Sequence, residues 1–203
     1  MDSHIAWDIG VAALGAALAE GLDAAFIRQT YSRLVIDCNR APGVPESVPA
    51  MSDGVTIAGN LGLTASDIAA RQDEIYAPYH ARIAAVLDER GRRGQATWLV
   101  SLHSFTPVFR GAARPWRYGV LHRGDSALSR RVLSALREAV GEDAGDNQPY
   151  AMDATDNTIP LHADAHGLDY LELEVRQDLI AEAAGQRAIA AFIGDVLPRA
   201  LAE

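Results

Sequence analysis

Apolar positions along this chain follow two rhythms, and the elements can be read from where one gives way to the other. Residues 5 to 21, "IAWDIGVAALGAALAEG", are rich in Ala and Leu with an acid near the start, and predict a helix. Short apolar runs at 24–29 and 33–38, joined by "TYS", predict two strands. Residues 41–63 hold Pro clusters and glycines without periodicity and predict a long loop, which in a compact domain is usually functional. A long helix is expected over 64–89, capped by Thr64 or Ser66 in "TASD" and broken at Pro78. "ATWLVSLH" at 96–103 reads as a fully buried strand and "RYGVLH" at 117–122 as another. An amphipathic helix follows over 125–140, then a polar loop over 141–160. "DYLELEVR" at 169–176 alternates, with Leu171, Leu173 and Val175 on one face, and a helix over 184–202 closes the chain. Strands alternating with helices predict an α/β fold, a three-layer αβα sandwich.

Composition narrows the function classes. A chain of 203 residues is long enough for one α/β domain and short for two. It is 49% hydrophobic and 22% charged, the balance of a globular protein. A net charge of -9 without a Lys/Arg block argues against nucleic acid as a partner. No apolar run approaches the roughly 20 residues of a membrane span. The start "MDSHIAWDIG" lacks the basic and apolar regions of a secretory signal, and Cys38 is the single cysteine, so a cytoplasmic location is expected. Neither GxGxxG nor GxxxxGK[ST] occurs.

Ligands of open α/β sheets bind beyond the carboxyl ends of strands. The predicted ends carry Asp37, Asn39 and Arg40; His103, Ser104 and Thr106; His122 and Asp125; and Glu172, Glu174, Arg176 and Asp178. One shared pocket is therefore expected. Its chemistry suits a metal-dependent amidohydrolase: an imidazole can hold Zn²⁺, a carboxylate can take a proton from the activated water, and arginines can grip a substrate carboxylate. Each residue also has an ordinary reading. His103 could be a hydrogen-bonded core histidine, Glu174 and Arg176 a surface pair, and Asn39-Arg40 turn chemistry before Pro42-Gly43.

Eight ordered stretches, "SHIAWDIG", "YSRLVIDCNR", "SDGVTIAGN", "YAPYH", "LVSLHSFTP", "RPWRYGVL", "DNQPYA" and "LELEVRQDLI", together resemble the N-formylglutamate amidohydrolase family. That family is similar to zinc carboxypeptidases and aspartoacylase-type deacylases. The resemblance implies a single phosphorylase/hydrolase-like domain over 1–203, with a mixed central sheet. It implies a small N-acyl acidic amino acid as substrate and zinc as cofactor. It places Asn39 and Arg40, with Arg33 upstream, at the substrate carboxylate, His103 on the metal, and Glu174 as general base, while Arg176 orients Glu174 or binds substrate.

In the family, further zinc ligands come from a segment resembling Cys-(Asp/Glu)-His-Ala-Ser-Asn ahead of "SHIAWD". The expectation is a domain lacking that segment and the first strand. His4 and Asp8, four residues apart, would share a helix face and are the candidate replacement ligands. His162 and His166 share the same spacing beside a loop. A shortened sheet would expose an edge, so a partner or second copy is expected. The competing reading is a non-catalytic protein on the same fold that binds a small acidic metabolite.

Overall fold

The computed structural model describes residues 4–202. In chain order its elements are α1 (Val11–Leu22), β1 (Met51–Ser52), β2 (Val55–Thr56), α2 (Ala65–Arg71), α3 (Ala77–Arg92), β3 (Leu99–Phe105), β4 (Val108–Phe109), β5 (Ala112–Ala113), β6 (Tyr118–Leu121), α4 (Ala127–Val140), β7 (Ala144–Asp146), β8 (Tyr170–Arg176) and α5 (Ala183–Ala202). They form two compact units. One, the helical unit, holds the described residues up to Trp7, then Ile27–Thr97 and Ala154–His166. The other, the sheet unit, holds Asp8–Phe26, Trp98–Asp153 and the described residues from Gly167.

The sheet unit is built on a mixed four-stranded sheet of order β3-β8-β6-β7. β3 runs parallel to β8, β6 antiparallel to β8, and β7 parallel to β6. Helices flank the sheet, an α/β arrangement consistent with the expected three-layer sandwich. The alternation in "YLELEVR" decides the rest, because successive strand residues point to opposite faces. Leu171, Leu173 and Val175 join Tyr118 and Val120 in a core with Leu14 and Leu18 of α1, Leu128, Val132 and Leu136 of α4, and Ile189, Ile193 and Val196 of α5. Glu172 and Glu174 point the other way, in register with Ser101 and His103 of β3. One face of the sheet is thus apolar core and the other carries the polar chemistry.

α1 starts later than the pattern predicts. Gly10 sits at φ +80°, and a Cβ there would lie 2.1 Å from the Ile180 carbonyl oxygen. That close approach fixes a left-handed residue just ahead of Val11, where no helix can continue backwards. Two other expectations fail in this unit. Residues 24–26 form no ladder and are exposed, so an apolar run with nothing to bury does not become a strand. Part of the predicted 141–160 loop is β7, whose small Ala144 and Gly145 pair with Tyr118 and Gly119.

In the helical unit, the predicted strand 33–38 is a series of turns. Local side-chain bonds supply the backbone partners that a ladder would have used. Leu34 N–H donates to Ser32 Oγ, and Asn39 N–H donates to Asp37 Oδ1. Asp37 accepts from Arg33 as well, at 2.6 Å from Nη2. Ile36 is still buried, against Ile75 and Cys38. Within the 41–63 segment, Asp53-Gly54 makes a tight hairpin turn between β1 and β2, with both residues at positive φ. The long helix does not break at Pro78. It widens into a π turn over Gln72–Tyr76 and continues as α3. Pro78 lacks the N–H that residue 74 would have bonded and its ring crowds that carbonyl, and a wider turn relieves both. The "HADAH" histidines lie on a short helix over 158–166, again with a π turn, not in a loop.

That helix buries a histidine pair. His80 Nδ1 and His162 Nε2 are 2.9 Å apart, and His80 Nε2 lies 2.9 Å from the Cys38 carbonyl oxygen. A carbonyl only accepts, so His80 carries its proton on Nε2 and His162 Nε2 donates to His80 Nδ1. A second proton would set N–H against N–H. Burial, then the neighbouring His80 and His166, push His162 down to about 4, and burial lowers His80 too. Tyr76 and Tyr79 pack on the His80 ring and add no charge at neutral pH. The folded pKa is below the unfolded one, so this stability is full above about pH 6.5 and is lost as the pH falls toward 4. Between pH 7.5 and 5 the contribution of His162 to the unfolding free energy is expected to fall by about 2 kcal/mol. Urea unfolding of the parent and of His162→Gln at the two pH values checks this: the difference between them should change by that amount, because the raised groups Glu174 and His103 titrate alike in both proteins.

Candidate active site on the sheet face

The polar face of the sheet unit gathers a histidine and three carboxylates. His103 Nδ1 donates to Asp8 Oδ2 at 2.8 Å, and its Nε2 is 2.9 Å from Ser101 Oγ. Burial opposes charge on this ring, but the Asp8 hydrogen bond and the charges of Asp8, Glu172 and Glu174 outweigh it and push His103 up to about 10. Glu174, 2% exposed, pairs in register with His103 on one side and Gly119 on the other. Its Oε1 accepts a short hydrogen bond from the Tyr150 hydroxyl. Its Oε2 is buried without a hydrogen-bond partner among the described residues. Burial raises Glu174 to about 7, helped by Asp8 and Glu172 and opposed by His103 and the Tyr150 bond.

Two glycines bring Tyr150 there. A Cβ on Gly119 would lie 2.0 Å from the Gln148 carbonyl oxygen, and one on Gly145 would lie 2.5 Å from Gln148 Cβ. Their bare Cα atoms let the 147–150 segment lie on the sheet. Asn147 fastens it, taking the Val120 carbonyl with its N–H and the His122 N–H with its Oδ1, both at 2.9 Å. Tyr150 carried no expected role, and the only sequence signal for it is its place in "DNQPYA".

Arg176 does not bond Glu174. It pairs with Asp178, and its Nη1 donates to the Pro115 carbonyl at 2.9 Å, which ties the end of β8 to the 114–116 segment. Nor do all the predicted strand ends share one pocket. β6 is antiparallel to β8 and pairs Leu121 with Glu172, so His122 lies toward the opposite end of the sheet from Arg176. There His122 Nε2 bonds Asp146, and Asp125 takes the Tyr170 hydroxyl.

The other predicted residues lie in the helical unit, and each has a partner. Arg33 pairs with Asp37. Arg40 Nη1 and Asn39 Nδ2 both reach Asp156 Oδ1, at 3.1 and 3.3 Å. Asn39 Oδ1 accepts from the N–H groups of Asn157 and Thr158 and so caps the 158–166 helix. His4 lies 3.5 Å from Asp53. With the helix starting only at Val11, His4 and Asp8 do not share a helix face.

Does this set suit zinc? The Asp8–His103 bond is the brace that a metal-bound imidazole ordinarily has. Yet His103 Nε2 is engaged with Ser101, and among the described residues no three His, Cys, Asp or Glu groups come together as a ligand set. The described residues do not fit a zinc site by themselves. No helix among them is long and apolar enough to cross a membrane.

Comparison with known proteins bears on this geometry. The family model described as N-formylglutamate amidohydrolase matches residues 1–181. The chain belongs to the N-formylglutamate amidohydrolase family. It is therefore a hydrolase-like protein, as the eight quoted stretches imply. A search of curated proteins returns no match. Among solved structures, the chain is similar to gene product Atu2144 from Agrobacterium tumefaciens, at 38% identity and TM-score 0.94, covering 99% of this chain and 80% of that one. It also shares the fold of an N-formylglutamate amidohydrolase from Ralstonia eutropha, at 21% identity and TM-score 0.61, over 92% of this chain and 80% of the other.

Proposed function

We propose that the chain hydrolyses the amide of a small N-acyl acidic amino acid, N-formylglutamate being the case the family is named for. The observation that carries this is Glu174 Oε2, a buried carboxylate oxygen on the polar sheet face with no hydrogen-bond partner among the described residues. Such an oxygen suits a general base that takes its proton from water. The Tyr150 hydroxyl holds Oε1 and so fixes the orientation of the carboxylate. The water oxygen bonds the acyl carbon while Glu174 takes its proton. The carbon–nitrogen bond then breaks, and Glu174 returns the proton to the leaving amine. Protonated His103, steadied by Asp8, places positive charge near the oxyanion.

The family resemblance implies Arg33, Asn39 and Arg40, in the helical unit, as carboxylate-binding residues. Asp156 occupies Arg40 and Asn39 as an acidic ligand would, so this role requires substrate to take its place. The absence of a three-donor metal set among the described residues favours a second reading, a binding protein for acidic metabolites on the same fold.

Formate release from N-formylglutamate, measured on the full chain with and without added Zn²⁺, tests both. Release is expected, and its response to Zn²⁺ decides the metal dependence implied by the family. No release under either condition, with N-formylglutamate still bound in calorimetry, would select the binding protein.

A further inference from the structure

Some arginines of the sheet unit have acids beside them. Arg176 pairs with Asp178, Arg123 with Asp125, and Arg117 with Asp143. Arg114 is different. No carboxylate partners it among the described residues, and its guanidinium makes one hydrogen bond there, from Nη1 to Thr106 Oγ1 at 3.2 Å. It sits over two rings, 4.6 Å from the centroid of Phe109 and 5.6 Å from that of Tyr150.

Stacking on aromatic faces holds a guanidinium plane while leaving its in-plane N–H groups available, and those N–H groups match the two oxygens of a carboxylate. Tyr150, the ring beneath Arg114, is the residue whose hydroxyl bonds Glu174. The local backbone is fixed from both sides. The β4–β5 hairpin leads into Arg114, whose N–H donates to the Pro107 carbonyl at 2.8 Å, and Arg176 holds the Pro115 carbonyl next to it. An unpaired half-buried cation on a braced segment, one ring away from the general base, is arranged to receive an anion.

We propose that Arg114 is a carboxylate-binding residue of the sheet-face site and takes an acidic group of the substrate. The identity of that substrate rests on the hydrolase reading above. Arg114 has no acid to give up before substrate binds, unlike Arg40.

The test uses the full chain, glutarate as a non-reactive dicarboxylate in calorimetry, and N-formylglutamate in turnover. Arg114→Gln is expected to weaken glutarate binding at least ten-fold and to raise KM by a similar factor, with kcat changed less than three-fold. Arg114→Lys, which keeps the charge but not the two-pronged geometry, should fall between, and thermal unfolding checks that both variants fold. If Arg114→Gln does not fold, the several-fold loss expected in Arg114→Lys carries the test. Glutarate affinity unchanged in the folded variants, or no glutarate binding by the parent chain, would overturn the proposal. Arg114-dependent glutarate binding without formate release would retire the hydrolase reading and leave this subsite standing. Formate release with affinity independent of Arg114 would do the reverse.

Discussion

Replacing Glu174 by Gln is expected to lower formate release about 10³-fold, within the range that a positioned general base contributes, while leaving the fold and substrate affinity nearly unchanged. The amide is the same size as the carboxylate. Its carbonyl oxygen can still accept the Tyr150 hydroxyl bond that Oε1 accepts now. What it cannot do is take a proton at the position of Oε2, the buried oxygen without a hydrogen-bond partner among the described residues. Stability should hold or rise slightly, because a neutral amide avoids the burial cost that already pushes Glu174 up to about 7. The measurement is kcat and KM of the variant beside its urea midpoint. A variant that turns over at the parent rate would remove Glu174 from the chemistry. One that loses activity together with several kcal/mol of stability would show a structural role instead.

Glu174 also shows what the sequence can and cannot say. The alternation in "LELEV" is enough to place Leu171, Leu173 and Val175 in the core and both glutamates on the opposite face. It cannot say whether that opposite face meets solvent or other protein, and the same pattern serves a surface ion pair with Arg176 equally well. Only the folded chain shows Glu174 buried beside His103, and Arg176 turned away to Asp178 and the Pro115 carbonyl. The run 34–38 misleads for a related reason. Its β-branched residues favour a strand, but Ser32 and Asp37 offer the backbone nearer partners and the segment turns. Direction is illegible as well. Nothing in "RYGVLH" says that β6 runs against β8, and this alone separates His122 from the other strand ends. The spacing of Asp8 points to His4, four residues before it, yet its partner is His103, 95 residues away. Contacts at that separation are set by the path of the whole chain and leave no local signature.

Glycine spacing carries more of the site than any charged motif does. Gly119→Ala is expected to destabilise the chain by about 3 kcal/mol, the sum of an overpacked contact and weakened hydrogen bonds, and to lower kcat at least ten-fold. A Cβ at Gly119 would lie 2.0 Å from the Gln148 carbonyl oxygen, which is backbone and has no rotamer to change, and 3.2 Å from Glu174 Cβ. The 147–150 segment must therefore lift from the sheet. The Asn147 bonds to β6 and the turn after it then stretch, and the Tyr150 hydroxyl leaves Glu174. Glu174 would lose the group that orients it, so activity should fall even in the fraction that stays folded. Gly91→Ala supplies the opposite sign: its Cβ meets nothing within 4 Å inside α3, and helix propensity predicts a gain of up to about 1 kcal/mol with activity unchanged. Urea unfolding and kcat for the two variants, measured together, separate a specific role for Gly119 from any general cost of replacing glycine. Equal behaviour of the two would mean that the 147–150 segment does not depend on a bare Cα at Gly119 to reach Glu174.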